Sequence, residues 1–255
     1  MSNLACDKKS VLETLNIDRV LDTDIFIVSY PRSGNTWIRF LIACMMHPDK
    51  TLSFRNIDRF IPDVYRHAEY ANSISPPRFL KTHHPFYGCF PRFIYIYRDG
   101  RDVFVSYYFY MKQRNQVKNG FSEFLRERLI RHPRYLHPWH EHVSKALDFA
   151  NKFPDRALLL RYEKIGDFAV DYAYKIAEFC RLDVSKKVIE NAVKKTSFEN
   201  LRKVEKEYGP EIEKYPDVDF FRSGRTGQWK EIFSGSDSEF FYSIAGPTMK
   251  RLGYV

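Results

Sequence analysis

The chain has 255 residues, 44% hydrophobic and 29% charged, ordinary globular usage that excludes a disordered chain or a collagen-like fibre. Its formal charge of +9 points to an anionic partner: a nucleotide, a nucleic acid, an acidic substrate or a membrane face. The length fits one large domain or two small ones, and an aromatic share of 16% promises a sizeable core with flat faces for stacking rings.

Residues 1–22 read as an N-terminal extension. Asp7, Lys8, Lys9, Glu13, Asp18 and Arg19 leave no signal-peptide apolar region in it. Ile25-Phe26-Ile27-Val28 is a continuous apolar run, the mark of a strand buried on both faces. After a turn, the dense apolar residues from Thr36 to Met46 predict a buried helix. The longest uncharged apolar stretch, Phe40 to Met46, falls far short of the ~20 residues of a membrane span. Further strands are predicted at residues 78–82 and 93–97, the second followed by a helix from about Asp102 into the Lys112 region. Helices at 139–151 and 167–180 flank a strand at 157–160, and residues 185–206 form two helical pieces. A long basic loop at 207–228 precedes a final helix at 238–252. Strands alternating with helices predict an α/β fold, a single domain (1–255) with a central, mostly parallel sheet flanked by helices. Cys6, Cys44, Cys89 and Cys180 show no metal spacing and are expected as buried free thiols of a soluble cytoplasmic protein.

Three segments carry anion chemistry. Strand, then Pro31-Arg32-Ser33-Gly34-Asn35-Thr36, then helix is the layout of a phosphate-binding turn. Gly34 lets backbone approach an oxyanion, and the helix N-terminus offers free N–H groups. A plain glycine turn between strand and helix fits the same letters. It is not a Walker A loop, which needs a Gly five positions before Gly34 and a Lys after it. In the second segment, Tyr97 to Tyr108, Arg98 sits at a strand's carboxyl end and Ser106 lies about two helical turns on. Asp102 and Arg101 read as members of a surface ion-pair cluster, Arg98 as a ligand. The third segment, Phe220 to Lys230, combines Arg222, Arg225 and Lys230 with Gly224, Gly227 and flanking aromatics. A long cationic loop of this kind is more often functional than a mere connection.

These segments resemble cytosolic-type sulfotransferases. Tyr30 to Trp37 resembles the family's 5′-phosphosulfate loop (Y-P-K-S-G-T-T-W), and Arg98 to Tyr108 its 3′-phosphate motif (R-D-P-R-D-V-x-V-S-Y-Y). Arg222 to Lys230 is similar to the late R-K-G-x-x-G-D-W-K loop, and Lys81-Thr82-His83-His84-Pro85 to the catalytic K-T-H-x-P. Trp139-His140-Glu141-His142-Val143, Arg161-Tyr162-Glu163 and Thr196-Ser197-Phe198 follow in the family's order. The resemblance covers residue 25 to the end and implies a P-loop-like sulfotransferase fold. It implies 3′-phosphoadenosine 5′-phosphosulfate as donor, held by Arg32, Ser33, Gly34, Asn35, Thr36 and Trp37 at one end. Arg98, Ser106, Arg222, Ser223 and Gly224 would serve the 3′-phosphate; Trp37 and Phe198 would sandwich the adenine near Tyr162, Thr196 and Ser197. His83 would be the base, with Lys81 and Arg32 neutralising charge on the bridging oxygen. Departures are Arg32 for Lys, His84 for Leu, Gly100 for Pro and Ser223 for Lys; the C-terminal dimerisation segment is absent from the letters.

Alternation along an extended chain sends Lys81 and His83 to one side and His84 to the other. His132, His137, His140 and His142 crowd one segment, but neither H-E-x-x-H nor a Cys partner accompanies them, so no metal is expected. The acceptor is expected to be a small hydroxyl- or amine-bearing molecule, met by residues 51–77, 113–138 and 207–221, whose aromatics suit a ring. No nucleic-acid partner and no membrane span are expected. Two rival readings stand beside this one. A small-molecule kinase would require Mg²⁺, and a basic nucleic-acid-binding module would gather its cations into one stripe rather than at strand ends.

Overall fold

The computed structural model describes residues 8–130 and 136–255. Four strands are present: β1 Ile25–Ser29, β2 Phe79–Thr82, β3 Arg92–Tyr97 and β4 Ala157–Arg161. The helices are α1 Lys8–Leu15, α2 Asn35–Met46, α3 Ala68–Ser73, α4 Gly100–Gln113, α5 Phe121–Ile130 and α6 Trp139–Lys152. After β4 come α7 Ile165–Cys180, α8 Lys186–Lys195, α9 Phe198–Tyr208, α10 Trp229–Ile232 and α11 Gly235–Arg251. The sheet order is β2-β1-β3-β4 and every pairing is parallel, with Ile25 opposite both Phe79 and Arg92 and Tyr97 opposite Arg161. Asp63 adds a parallel bridge on the outer side of β2, where Lys81 N–H donates to Pro62 O at 2.9 Å.

Successive strand residues face opposite ways, so each strand feeds two apolar layers. Phe26, Val28, Leu80, Phe93 and Tyr95 pack with α1, α4, α5, α6 and α11. Ile25, Ile27, Phe79, Ile94 and Ile96 pack with α2, α7 and α8. Burial on both faces explains why β1 is an unbroken apolar run. The connections leaving β1 and β3 pass to opposite faces: α2 lies in one layer, α4 in the other. Adjacent strands whose connections diverge in this way leave a crevice at their carboxyl ends, where open α/β sheets bind ligands.

Every predicted strand and helix is present, with α2 and α4 starting one or two residues earlier than expected. The differences are additions. Residues 8–15, read as part of an extension, form α1, and Val11 and Leu15 are buried in the first apolar layer. Residues 121–130, read within a variable acceptor segment, form α5, with Phe124, Leu125 and Leu129 buried. Cys44 and Cys180 are buried free thiols, their pKa values pushed up by burial to about 11 and about 12. Cys89 departs from the expectation of free thiols, because it is disulfide-bonded; Cys6, His132 and Tyr135 lie outside the described residues.

Candidate active site

The turn after β1 is built for backbone donors. Gly34 (φ 101°) caps α2, and a Cβ there would stand 2.6 Å from the Tyr162 ring, so only glycine fits. Trp37 N–H donates to Gly34 O at 3.1 Å, while the amides of Asn35 and Thr36 stand ahead of the first carbonyl the helix can offer. Arg32 is also left-handed (φ 68°) without being glycine, a strained conformation of the sort that clusters at ligand sites. The Asn35 side chain is buried and donates to Ile27 O at 3.1 Å and Thr82 O at 3.4 Å, bolting the turn to β1 and β2. Its amide, not its side chain, is what it can offer a ligand.

Arg32 does not project freely. Its guanidinium lies 4.4 Å from the ring centroids of both Tyr110 and Phe220. Nε donates to Ser106 Oγ at 3.2 Å and Nη2 to Phe220 O at 3.1 Å. Arg98, at the end of β3, is 5% exposed, lies over Tyr162 at 4.2 Å, and donates to Arg32 O and Arg225 O. Arg32 Nη1, Ser33 Oγ and Arg98 Nε are buried without a hydrogen-bond partner among the described residues. Buried donors of this kind are costly unless a ligand completes them. Burial and the neighbouring cations Arg98 and Arg225 push the Arg222 pKa down, the signature of positive charge gathered before its counter-charge arrives.

Two carboxylates hold the long basic loop over this cradle. Asp102 accepts from the amides of Gly227 at 2.6 Å and Trp229 at 3.0 Å. It is 2% exposed, so its reading as a surface ion-pair residue is corrected; Arg101 pairs with Asp99 at 2.6 Å and is buried as well. Glu205 accepts from the amides of Phe220 and Phe221. Where the loop returns, Gly224 (φ 65°) lies flat on the Phe198 ring, 2.7 Å from where its Cβ would stand.

Lys81 and His83 face the same space, and His84 does not. Lys81 Nζ donates to Asp63 Oδ2 at 2.6 Å. Burial alone would raise the Asp63 carboxyl, but Lys81, Arg66 and Arg39 overrule it and hold it far below the usual carboxylate range. His83 Nδ1 lies 2.7 Å from Ser29 O. A carbonyl only accepts, so Nδ1 carries the proton and Nε2 is left as the acceptor. Burial, then the Lys81 ammonium, push the His83 pKa well below the ordinary value. His84 is 2% exposed and stacks on Phe86 and Tyr65.

One cavity of about 1180 Å³ gathers these groups. Arg32, Gly34, Asn35, Thr36 and Trp37 line it, as do Lys81, His83, Arg98, Ser106 and Tyr162. Ser197, Phe198, Arg222, Ser223 and Gly224 complete the expected set. Ser33 and Thr196 do not line it: Thr196 is fully buried, its hydroxyl bound to Ala192 O and its carbonyl to Trp37 Nε1. The Thr196 carbonyl thereby steadies the Trp37 ring. Tyr110, Asp63 and Glu211 also line the cavity and were not singled out as site residues, since nothing local in the sequence marks them. Among the described residues no His, Cys, Asp and Glu group is arranged to hold a metal ion, and no helix is long and apolar enough to cross a membrane.

Residues 22–253 match the model of the sulfotransferase domain. The chain belongs to the sulfotransferase family. Rabbit amine sulfotransferase is 24% identical, over 94% of this chain and 85% of that protein. Cytosolic sulfotransferase 17 of Arabidopsis thaliana is 27% identical, over 83% of this chain and 70% of its own length. The fold matches mouse sulfotransferase SULT7A1 complexed with PAP, with a TM-score of 0.70 at 23% identity over 96% of this chain and 90% of that one. Retinol dehydratase in complex with retinol and PAP superposes with a TM-score of 0.69 at 21% identity, over 95% and 86% of the two chains. This sulfotransferase is therefore an enzyme that moves a sulfuryl group to a small-molecule acceptor.

Proposed function

We propose that this sulfotransferase takes its sulfuryl group from 3′-phosphoadenosine 5′-phosphosulfate and that His83 is the base. One observation carries the reading: Arg32 and Arg98, each with a buried donor left unpaired among the described residues, line one cavity together with His83, whose Nδ1 is taken by Ser29 O. The nucleotide, when bound, supplies an activated sulfuryl group on its 5′ end. The Gly34 turn and Arg32 would hold that end. Arg98, Arg222 and Ser106 would meet the 3′-phosphate, with Trp37 and Phe198 on the faces of the adenine. His83 Nε2 then accepts the acceptor's proton, while the Ser29 carbonyl and Asp63 favour the cation that forms. Lys81 places a buried ammonium beside the base, where low dielectric strengthens its pull on developing negative charge.

The acceptor end is walled by Tyr65, Tyr107, Tyr110 and Phe220, which supports a ring-bearing alcohol or amine. The name of the rabbit relative supports including amines in any screen. Free, buried Cys44 and Cys180 support a cytoplasmic setting, and the Cys89 disulfide speaks for an oxidising one.

The cofactor reading makes a quantitative prediction. Adenosine 3′,5′-bisphosphate should bind at least about tenfold more tightly than AMP, because each charge-assisted contact to the 3′-phosphate is worth about 1.5–3 kcal/mol. Isothermal calorimetry measures both ligands directly. Equal affinities would remove the 3′-phosphate site from the assignment.

A further inference from the structure

We propose that His142 is a positioning residue for transfer: its imidazole holds the backbone carbonyl of His83 and so fixes where the His83 ring points. The inference rests on the reading of His83 as the base.

His142 closes the first turn of α6, its N–H donating to Pro138 O, and is fully buried. Its Nε2 is 2.9 Å from His83 O. Because a carbonyl only accepts, Nε2 must carry the proton, and in a neutral ring Nδ1 is then the acceptor. The surroundings supply the matching donors. Tyr95 Oη is 2.7 Å from Nδ1. Tyr87 Oη is 3.0 Å from the same atom and 3.0 Å from His142 O, so its single proton can serve the carbonyl while Tyr95 serves the ring. Burial holds the ring neutral, with a pKa lowered to about 3, so this arrangement persists across the working pH range.

The two imidazoles thus sit in opposite tautomers, each imposed by a carbonyl. His83 shows Nδ1–H to Ser29 O and keeps Nε2 bare; His142 shows Nε2–H to His83 O and keeps Nδ1 as acceptor. The His83 residue is held at three points: its amide on Tyr65 Oη at 3.0 Å, its ring on Ser29 O, and its carbonyl on His142. The amide anchor comes from an exposed tyrosine, 38% accessible. The carbonyl anchor comes from a residue locked by two buried phenols. Removing it leaves an unsatisfied carbonyl and a peptide free to turn, and a base displaced by even 1 Å loses about 10²-fold in rate.

Three single variants and a fallback double test this with labelled phosphosulfate and a panel of 2-naphthol, 2-phenylethylamine and a 3-hydroxysteroid. His142→Phe keeps the ring volume but removes the donor, and its kcat should fall about 10–100-fold. Affinity for adenosine 3′,5′-bisphosphate should stay within about threefold, since the cofactor does not see this carbonyl. His142→Gln keeps an N–H at similar reach and should recover most of the loss. Nitrogen-15 spectra should show the single Nδ1–H tautomer of His83 in the parent and in His142→Gln, and an averaged ring in His142→Phe. Should His142→Phe not fold, the Tyr87→Phe/Tyr95→Phe pair deletes only hydroxyls; it should mix the His142 tautomers and lower kcat. A kcat within about threefold of the parent in the folded variant, joint loss of rate and cofactor affinity, or no rescue by Gln overturns the proposal. His83→Ala separates the layers. If it stays active, the base assignment falls and this inference with it; if it is dead while His142→Phe is normal, this inference alone falls.

Discussion

His83→Ala is expected to lower turnover about 10²–10⁴-fold while leaving affinity for adenosine 3′,5′-bisphosphate near that of the parent. The ring donates from Nδ1 to Ser29 O and offers Nε2 to the cavity, so its removal deletes a proton acceptor without touching the phosphate cradle. His84→Ala should cost far less in rate, because His84 is buried between Phe86 and Tyr65 outside the cavity. The pH profile follows from the same surroundings. Burial and Lys81 lower the His83 pKa well below the ordinary value, so the ring is neutral and competent through the neutral range. Activity should be lost only as pH falls through that lowered pKa, which places the acid limb of kcat below the usual histidine range. Single-turnover measurements across pH, with both alanine variants, read all three outcomes. An acid limb at or above the ordinary value, or a dead His84→Ala beside an active His83→Ala, would remove His83 from the role.

Arg98→Ala is the second large effect. The guanidinium is 5% exposed, lies over Tyr162, and also ties Arg32 O to Arg225 O, so it braces the cradle it would complete. Truncating one member of a buried, hydrogen-bonded charge contact costs about 2–5 kcal/mol, or roughly 30- to several-thousandfold in affinity. The loss should fall on adenosine 3′,5′-bisphosphate and spare most AMP binding, collapsing the preference between them. Calorimetry on the variant with both ligands tests this. A parallel loss for both would mean that Arg98 holds the loop together and does not read the 3′-phosphate.

What the sequence made legible was whatever lies within a few residues along the chain. The apolar run before Pro31, the glycine at the turn and the basic residue following β3 are contiguous signals; the structure buries the first as β1 and seats Gly34 and Arg98 at one cavity. Lys81 and His83 were readable as a pair because strand alternation is local. The misreadings concern partners that only folding supplies. Asp102 resembled a surface charge because nothing near it announces that Gly227 and Trp229 arrive to take its oxygens. Nor did anything near Thr196 announce that its hydroxyl closes onto Ala192 O and its carbonyl takes the Trp37 indole N–H. His142 stood in a histidine-rich stretch from which no partner could be read; folding brings it Tyr87 and Tyr95, from the β2–β3 connection and β3. Helix α5 was missed because charged residues interleave its apolar positions, although Phe124, Leu125 and Leu129 share a buried face.

The position of Arg32 has a consequence for how the two ligands of this enzyme act on each other. Its guanidinium is clasped by Tyr110 from α4 and by the ring and carbonyl of Phe220 from the long basic loop. A group that belongs to the Gly34 turn by sequence is thus clasped, in space, by α4 and by the loop of residues 207–228. Whatever settles Phe220 settles Arg32, and whatever engages Arg32 settles Phe220. Linkage then makes the traffic reciprocal: the factor by which a bound acceptor changes nucleotide affinity equals the factor by which nucleotide changes acceptor affinity.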